Sequence, residues 1–174
     1  MTEQSSWSHL KHSAPDFAAR ARSIIRQWGF VYAGTIRPDG APRISPIEAH
    51  LVEGHLVLVL IPQSLKALDV ARDPRLVLQS PIVNADEPET ELKIRGRAYV
   101  LPDDELRDSI ADAIEDRRGW RPVSWHVATV SLDLVSMMEW RAGDLTLTRW
   151  DPRHGLRGPE ARRFDPQRGA YVTD

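Results

Sequence analysis

Apolar positions along the chain change their spacing near residue 30. Upstream, Phe17, Ala21, Ile24, Ile25 and Trp28 recur at the interval of one helical face, and Ser13-Ala14-Pro15-Asp16 ahead of them supplies a capping box. A helix is expected over about 15–27, whereas residues 1–12 are polar and show no clear period. Downstream, FVYAGTI is β-branched and aromatic, and Pro38-Asp39-Gly40 closes a hairpin in which Gly40 takes the positive φ. PRISPIEAHLV returns as a second strand, interrupted at Pro46, which has no N–H for a ladder and marks an edge, a bulge or a bend. Glu53-Gly54 is a second hairpin signal. HLVLVLI after it is apolar without alternation, the pattern of a central strand covered on both faces.

The period then becomes helical again. Ser64 caps a short helix, SLKALDVAR, which Asp73-Pro74 stops. Arg75 to Ile82 is a further strand, and the acidic segment Asn84 to Thr90 is an exposed loop. In the strand from Glu91 to Leu101, the residues Leu92, Ile94, Gly96, Ala98 and Val100 share one face, with the small ones where backbone or ligand comes close. A second long helix runs from Pro102 to about Arg117, with Leu106, Ile110, Ala113 and Ile114 on its apolar side. Trp125 to Leu132, Leu134 to Arg141 and Leu145 to Trp150 are strands with short turns between them, one at Ala142-Gly143-Asp144. Residues 151–174 are rich in proline, glycine and arginine and have no period, so they form an extended tail on a domain of residues 1–150. Seven or eight strands, one helix before them and two inserted, make a mainly β chain that suits a closed antiparallel barrel with helices plugging its ends.

Composition narrows the function classes. The 174 residues suit one domain with a real core, and a net charge of −2 with 28% charged residues supplies no field for nucleic acid. There is no cysteine, which removes disulfides, thiolate metal sites and cysteine nucleophiles and is compatible with a cytoplasmic protein. The first residues lack a basic start followed by an apolar core, and the longest apolar run, Leu56 to Ile61, is far short of the ~20 residues a bilayer needs. No membrane partner is expected.

The best local chemistry lies at the Ser64 helix. A helix N-terminus offers unpaired N–H groups and partial positive charge, and Lys66 in the first turn opposes that dipole unless an anion offsets it. Arg43 and Ser45, two apart on one strand, share a face and add charge-assisted donors. The plain alternative is a solvent-facing lysine beside an ordinary serine cap. His9 with His12, and His50 with His55, have spacings a metal uses, but no carboxylate stands at a diagnostic interval, and no metal site is expected. There is no G-x-S-x-G elbow and no P-loop, and Ser64 with Lys66 is explained as a cap without a nucleophile. No catalytic acid or base stands out.

The series GTIRPDGAPRISPI, EGHLVL and SLKALDVARDPRLVL, in that order, resembles the pyridoxamine 5'-phosphate oxidase-like superfamily of split-barrel flavin-binding proteins. The likeness covers Trp28 to Ser80 well and Glu91 to Trp150 more loosely. It implies a six-stranded antiparallel split β-barrel with flanking helices, a homodimer, and FMN in a groove at the dimer interface. Carried over residue by residue, it implies Arg43, Ser64 and Lys66 on the cofactor phosphate with Ser45 beside them, and Gln79 or Ser80 toward the ring. From the other subunit it implies Trp140 with Arg141 or Arg149. The Arg-x-His substrate signature of true pyridoxamine phosphate oxidases is replaced by GDLTLTRW, with Thr146 and Thr148. The resemblance therefore points to an oxidoreductase that uses FMN, or the deazaflavin coenzyme F-420, on another small-molecule substrate. A flavin- or haem-holding protein without turnover is the other reading.

Overall fold

The computed structural model describes residues 6–82, 90–102, 105–122, 126–141 and 144–173. A short helix, α1 (Trp7–Ser13), precedes the expected one. It buries only Trp7 and Leu10, too few positions to set a period. Contacts from far along the chain hold it: the Ser8 N–H donates to the Gly54 carbonyl at 3.0 Å, and the His9 ring meets Trp150 edge-on. Helix α2 (Pro15–Trp28) starts on Pro15, and its N-cap is Ala14 without a side-chain bond, so the expected Ser13 cap does not form. The Ser13 hydroxyl instead donates back to the His9 carbonyl at 2.7 Å and accepts from Trp150 Nε1 at 2.9 Å.

Strands β1 (Val31–Ile36) and β2 (Pro42–Ile47) form the first hairpin, with Gly40 at φ 84° and the Asp39 carboxylate accepting from the Ala41 N–H. The expected second strand is divided at Glu48, two residues past Pro46, and continues as β3 (Ala49–Val52). Glu53 and Gly54 both take positive φ, the geometry of a two-residue hairpin turn into β4 (His55–Leu60). Strand β4 is central, as its unbroken apolar run implies. Leu56, Leu58 and Leu60 face the main core, while Val57 and Val59 face a second core under Ile110 and Ile114 of α4 (Glu105–Arg118).

After β4 come α3 (Leu65–Arg72), β5 (Arg75–Gln79), β6 (Thr90–Val100) and β7 (His126–Arg141). The expected loop at Asn84–Thr90 lies outside the described residues except for Thr90, which begins β6. The break expected between Leu132 and Leu134 is a bulge within one 16-residue strand: Arg95 pairs with Leu134, Gly96 with Leu132, and Asp133 is left over. Arg97 holds that extra residue with hydrogen bonds of 2.7 and 2.8 Å to the Asp133 carboxylate. Gly96 is required here, because a Cβ on it would lie 2.2 Å from the Ser131 carbonyl oxygen. Gly96→Ala is expected to lose about 1–3 kcal/mol of stability, seen as a lowered Tm. An unchanged Tm would mean that the bulge yields freely.

The tail after Trp150 is more ordered than its text suggests. Strand β8 (Asp144–Asp151) is followed by β9 (Gly155–Asp165) and β10 (Ala170–Thr173), an antiparallel meander that extends the sheet. Strand β9 is exposed along most of its length on both faces, which is why it lacks a hydrophobic period. The described residues thus contain ten strands in one mainly β sheet, four more than the resemblance implies. One arises from the division at Glu48 and three follow β7. The ladder order β3-β4-β7-β6-β5-β1-β2 ends on two strands joined only through Glu48, so the sheet turns back on itself around the main core.

Candidate functional site

Helix α3 sits where that circuit closes. Ser64 is its N-cap, the hydroxyl accepting from the Ala67 N–H at 3.4 Å, and the N–H groups of Leu65 and Lys66 have no helical acceptor. Lys66 reaches back to β2, where its Nζ donates to the Pro46 carbonyl at 3.0 Å. Arg43 and Ser45 share one side of β2 with buried Ile47, and both are partly exposed. Arg43, Ser45, Ser64 and Lys66 are thereby gathered at one corner between β2 and α3.

A residue that the sequence reading passed over organises this corner. Asp69, on the next turn of α3 after Lys66, is only 2% exposed. Its Oδ2 accepts from Arg43 Nε at 2.7 Å and from Thr35 Oγ1 at 2.9 Å, and its Oδ1 lies 3.9 Å from Arg72 Nη2. Burial alone would push its carboxyl upward in pKa. The hydrogen bonds from Arg43 and Thr35 and the charges of Arg43 and Arg72 outweigh that, and hold it below the ordinary carboxylate range. Asp69 is therefore ionised at neutral pH. Two basic side chains, Arg43 and Arg72, flank this one carboxylate, and neither Nη group of Arg43 is taken by a described residue. The remaining donors and the helix N-terminus match a phosphate group.

The other predicted residues lie elsewhere. Ser80 is 1% exposed and closes the β5–β6 ladder: its N–H donates to the Leu92 carbonyl and its hydroxyl accepts from the Leu92 N–H, both at 2.9 Å. Gln79 points to the outer face of the sheet. Cross-strand pairing sets it in one row that runs Pro46, Tyr32, Gln79, Lys93, Ser136, Arg149 from β2 to β8. Arg149 in that row lies 3.0 Å from Glu160 on β9, beside a groove of about 530 Å³ that Arg95, Asp133 and His154 also line. Trp140 is half-buried near the end of β7, on the same side as Ser136 by strand alternation. The side chain of Arg141 lies outside the described residues.

Five ladders separate Pro46 from Arg149, about 24 Å along the sheet at roughly 4.8 Å per strand. The corner and the Trp140–Arg149 region of one chain thus lie on strands five ladders apart along this path. The outer face between them carries exposed Tyr32, Ile44 and Val77. Neither histidine pair gathers a third ligand among the described residues. His9 packs on Trp150, and His50 is buried 3.4 Å from Glu48.

The sequence profile of the family described as pyridoxamine 5'-phosphate oxidase matches residues 17–133. No curated protein matches the chain. Among solved structures, a heme binding protein from Mycobacterium smegmatis aligns with 74% of this chain at 20% identity and a TM-score of 0.55. The chain spans 55% of that protein's length. HutZ, the heme storage protein from Vibrio cholerae, aligns with 70% of this chain and 90% of its own length, at 11% identity and a TM-score of 0.57. A Clostridium acetobutylicum protein related to general stress protein 26, described as of the pyridoxinephosphate oxidase family, aligns over 76% of this chain and 93% of itself, at 13% identity and a TM-score of 0.56. At these identities the likeness is one of fold.

Proposed function

The chain belongs to the pyridoxamine 5'-phosphate oxidase family, and on that premise we propose that it is a cytoplasmic, FMN-dependent oxidoreductase acting as a homodimer on a small organic substrate. The observation that carries this reading is the corner of β2 and α3, where Arg43, Ser45, Ser64 and Lys66 converge beside unpaired helical N–H groups. In this reading the β1–β7 circuit is the six-stave split barrel, with β2 and β3 as one bent stave. FMN supplies hydride or electron transfer when bound. The chain's own part is to grip the phosphate through Arg43 and Lys66, to orient the group with Ser45 and the Ser64 cap, and to present Gln79 along the outer face. Trp140 and Arg149 complete the groove from the second subunit. Arg141 is assigned to the same edge. Ser80 acts only by holding the strand that carries Gln79.

Coenzyme F-420 presents a phosphate of the same kind, so it is the alternative cofactor. The missing Arg-x-His signature argues against pyridoxine phosphate as substrate. A non-catalytic haem- or flavin-holding protein is the second reading, favoured by the two haem proteins that share the fold.

The absorption spectrum of the purified protein separates flavin, deazaflavin and haem directly. Titration is then expected to give tighter binding of FMN than of riboflavin, because only FMN carries the phosphate. Equal affinity for the two, or a haem spectrum alone, would refute the FMN reading. Failure of the FMN-loaded protein to accept electrons from any nicotinamide donor would favour the holding role.

A further inference from the structure

We propose that Asp69 is the positioning residue of the β2–α3 corner: its buried carboxylate ties Arg43 to α3 and so aims the free edge of the guanidinium at the phosphate. This rests on the phosphate-corner reading and adds a residue to it. The carboxylate lies over a single rung of the sheet, since Thr35 of β1 and Arg43 of β2 are cross-strand partners and both donate to Asp69 Oδ2. It thereby joins three elements at one oxygen atom.

An ion pair is a poor choice for merely fastening a helix to a sheet. Apolar side chains of similar volume usually do so as well or better, because removing two charges from water costs about as much as their attraction returns. What the pair supplies is direction. With Nε held at 2.7 Å, the planar guanidinium is fixed in orientation, and its two Nη groups remain for an acceptor outside the protein. The same carboxylate fixes the rotation of α3, and with it Lys66 one turn earlier, whose Nζ already points to Pro46. Both cations of the corner thus depend on one buried anion.

Positioning and electrostatics predict opposite results. If Asp69 only adds negative charge near the phosphate, removing that charge strengthens FMN binding. If it positions Arg43, removal weakens FMN binding although the local field becomes more favourable. Asp69→Asn keeps the shape and an acceptor for Thr35 while removing the charge. FMN affinity is expected to fall about tenfold, with riboflavin affinity unchanged and the difference persisting at high salt. Asp69→Glu is expected to restore part of the loss. Stronger or unchanged FMN binding in Asp69→Asn overturns the proposal, and so does a parallel loss of FMN and riboflavin that follows a fall in Tm. Thr35→Val loosens the clamp without altering any charge and is expected to weaken FMN selectively by about threefold; no selective loss there also overturns it. The wild-type titration keeps the two readings apart: if wild type prefers FMN to riboflavin and Asp69→Asn leaves that preference intact, only the role of Asp69 falls. If wild type shows no preference, the phosphate corner falls with it.

Discussion

Replacing Arg43 and Lys66 together by alanine is expected to weaken FMN binding by about 100-fold or more while leaving riboflavin affinity near its original value. Each side chain supplies a charge-assisted hydrogen bond, and the loss of one costs about 1.5–3 kcal/mol. Two losses at the lower bound give about 3 kcal/mol, a little over two factors of ten. The structure adds a consequence for stability. Arg43 is the near partner of buried Asp69, and stranding a buried carboxylate costs about 3–5 kcal/mol, so Arg43→Ala lowers the Tm as well. The affinity is therefore also measured with Asp69→Asn added, which removes the stranded charge. Lys66→Met is the complementary case, since Lys66 gives up only its bond to the Pro46 carbonyl, and it is expected to cost about tenfold in FMN affinity with no change in Tm. Calorimetric titration with FMN and riboflavin, paired with thermal melts, distinguishes the two effects. A folded double variant that still prefers FMN by the wild-type margin would sink the phosphate assignment.

The features legible in the sequence are those that short-range physics determines. The Ser64 cap, the Asp73-Pro74 stop and the positive φ at Gly40 and Gly54 are local choices, and each occurs where the residue type demands it. The unbroken apolar run of β4 correctly implied a strand with a core on each side. Long-range dependence explains what was missed. Helix α1 has two buried residues and is held by Gly54 and Trp150. Asp69 carries no signal of its burial until β1 and β2 bring Thr35 and Arg43 beneath it. The tail is an intermediate case, because one signal was present in it. Asp151-Pro152-Arg153-His154-Gly155 and Asp165-Pro166-Gln167-Arg168-Gly169 share one pattern, and in both the aspartate accepts from the N–H groups two and three residues on while the glycine takes positive φ. Two such turns delimit strand β9. Between them β9 buries almost nothing and so carries no hydrophobic period.

The dimer prediction follows from the exposed face that separates the two halves of the proposed groove. Ile44 is 76% exposed on β2 and lies in the row that continues through Gly34, Val77 and Arg95, beside the row that carries Gln79. Ile44→Asp is expected to leave the folded protomer almost unchanged, because a substitution at so exposed a position shifts stability by about 0.5 kcal/mol or less. Its effect on assembly is larger. A two-fold interface contains each residue twice, and an unpaired carboxylate buried there costs about 3 kcal/mol or more, so the dimer loses about 6 kcal/mol. That corresponds to roughly 10⁴-fold weaker association, enough for a monomer at micromolar concentration in sedimentation equilibrium. The monomer retains Arg43, Lys66 and Asp69, and by this reading it still loses most of its FMN affinity, since Trp140 and Arg149 reach the cofactor only from the partner. A variant that remains dimeric shows that this face is not the interface. A monomer that binds FMN as the wild type does places the whole site within one chain, and Trp140 and Arg149 then have no part in it.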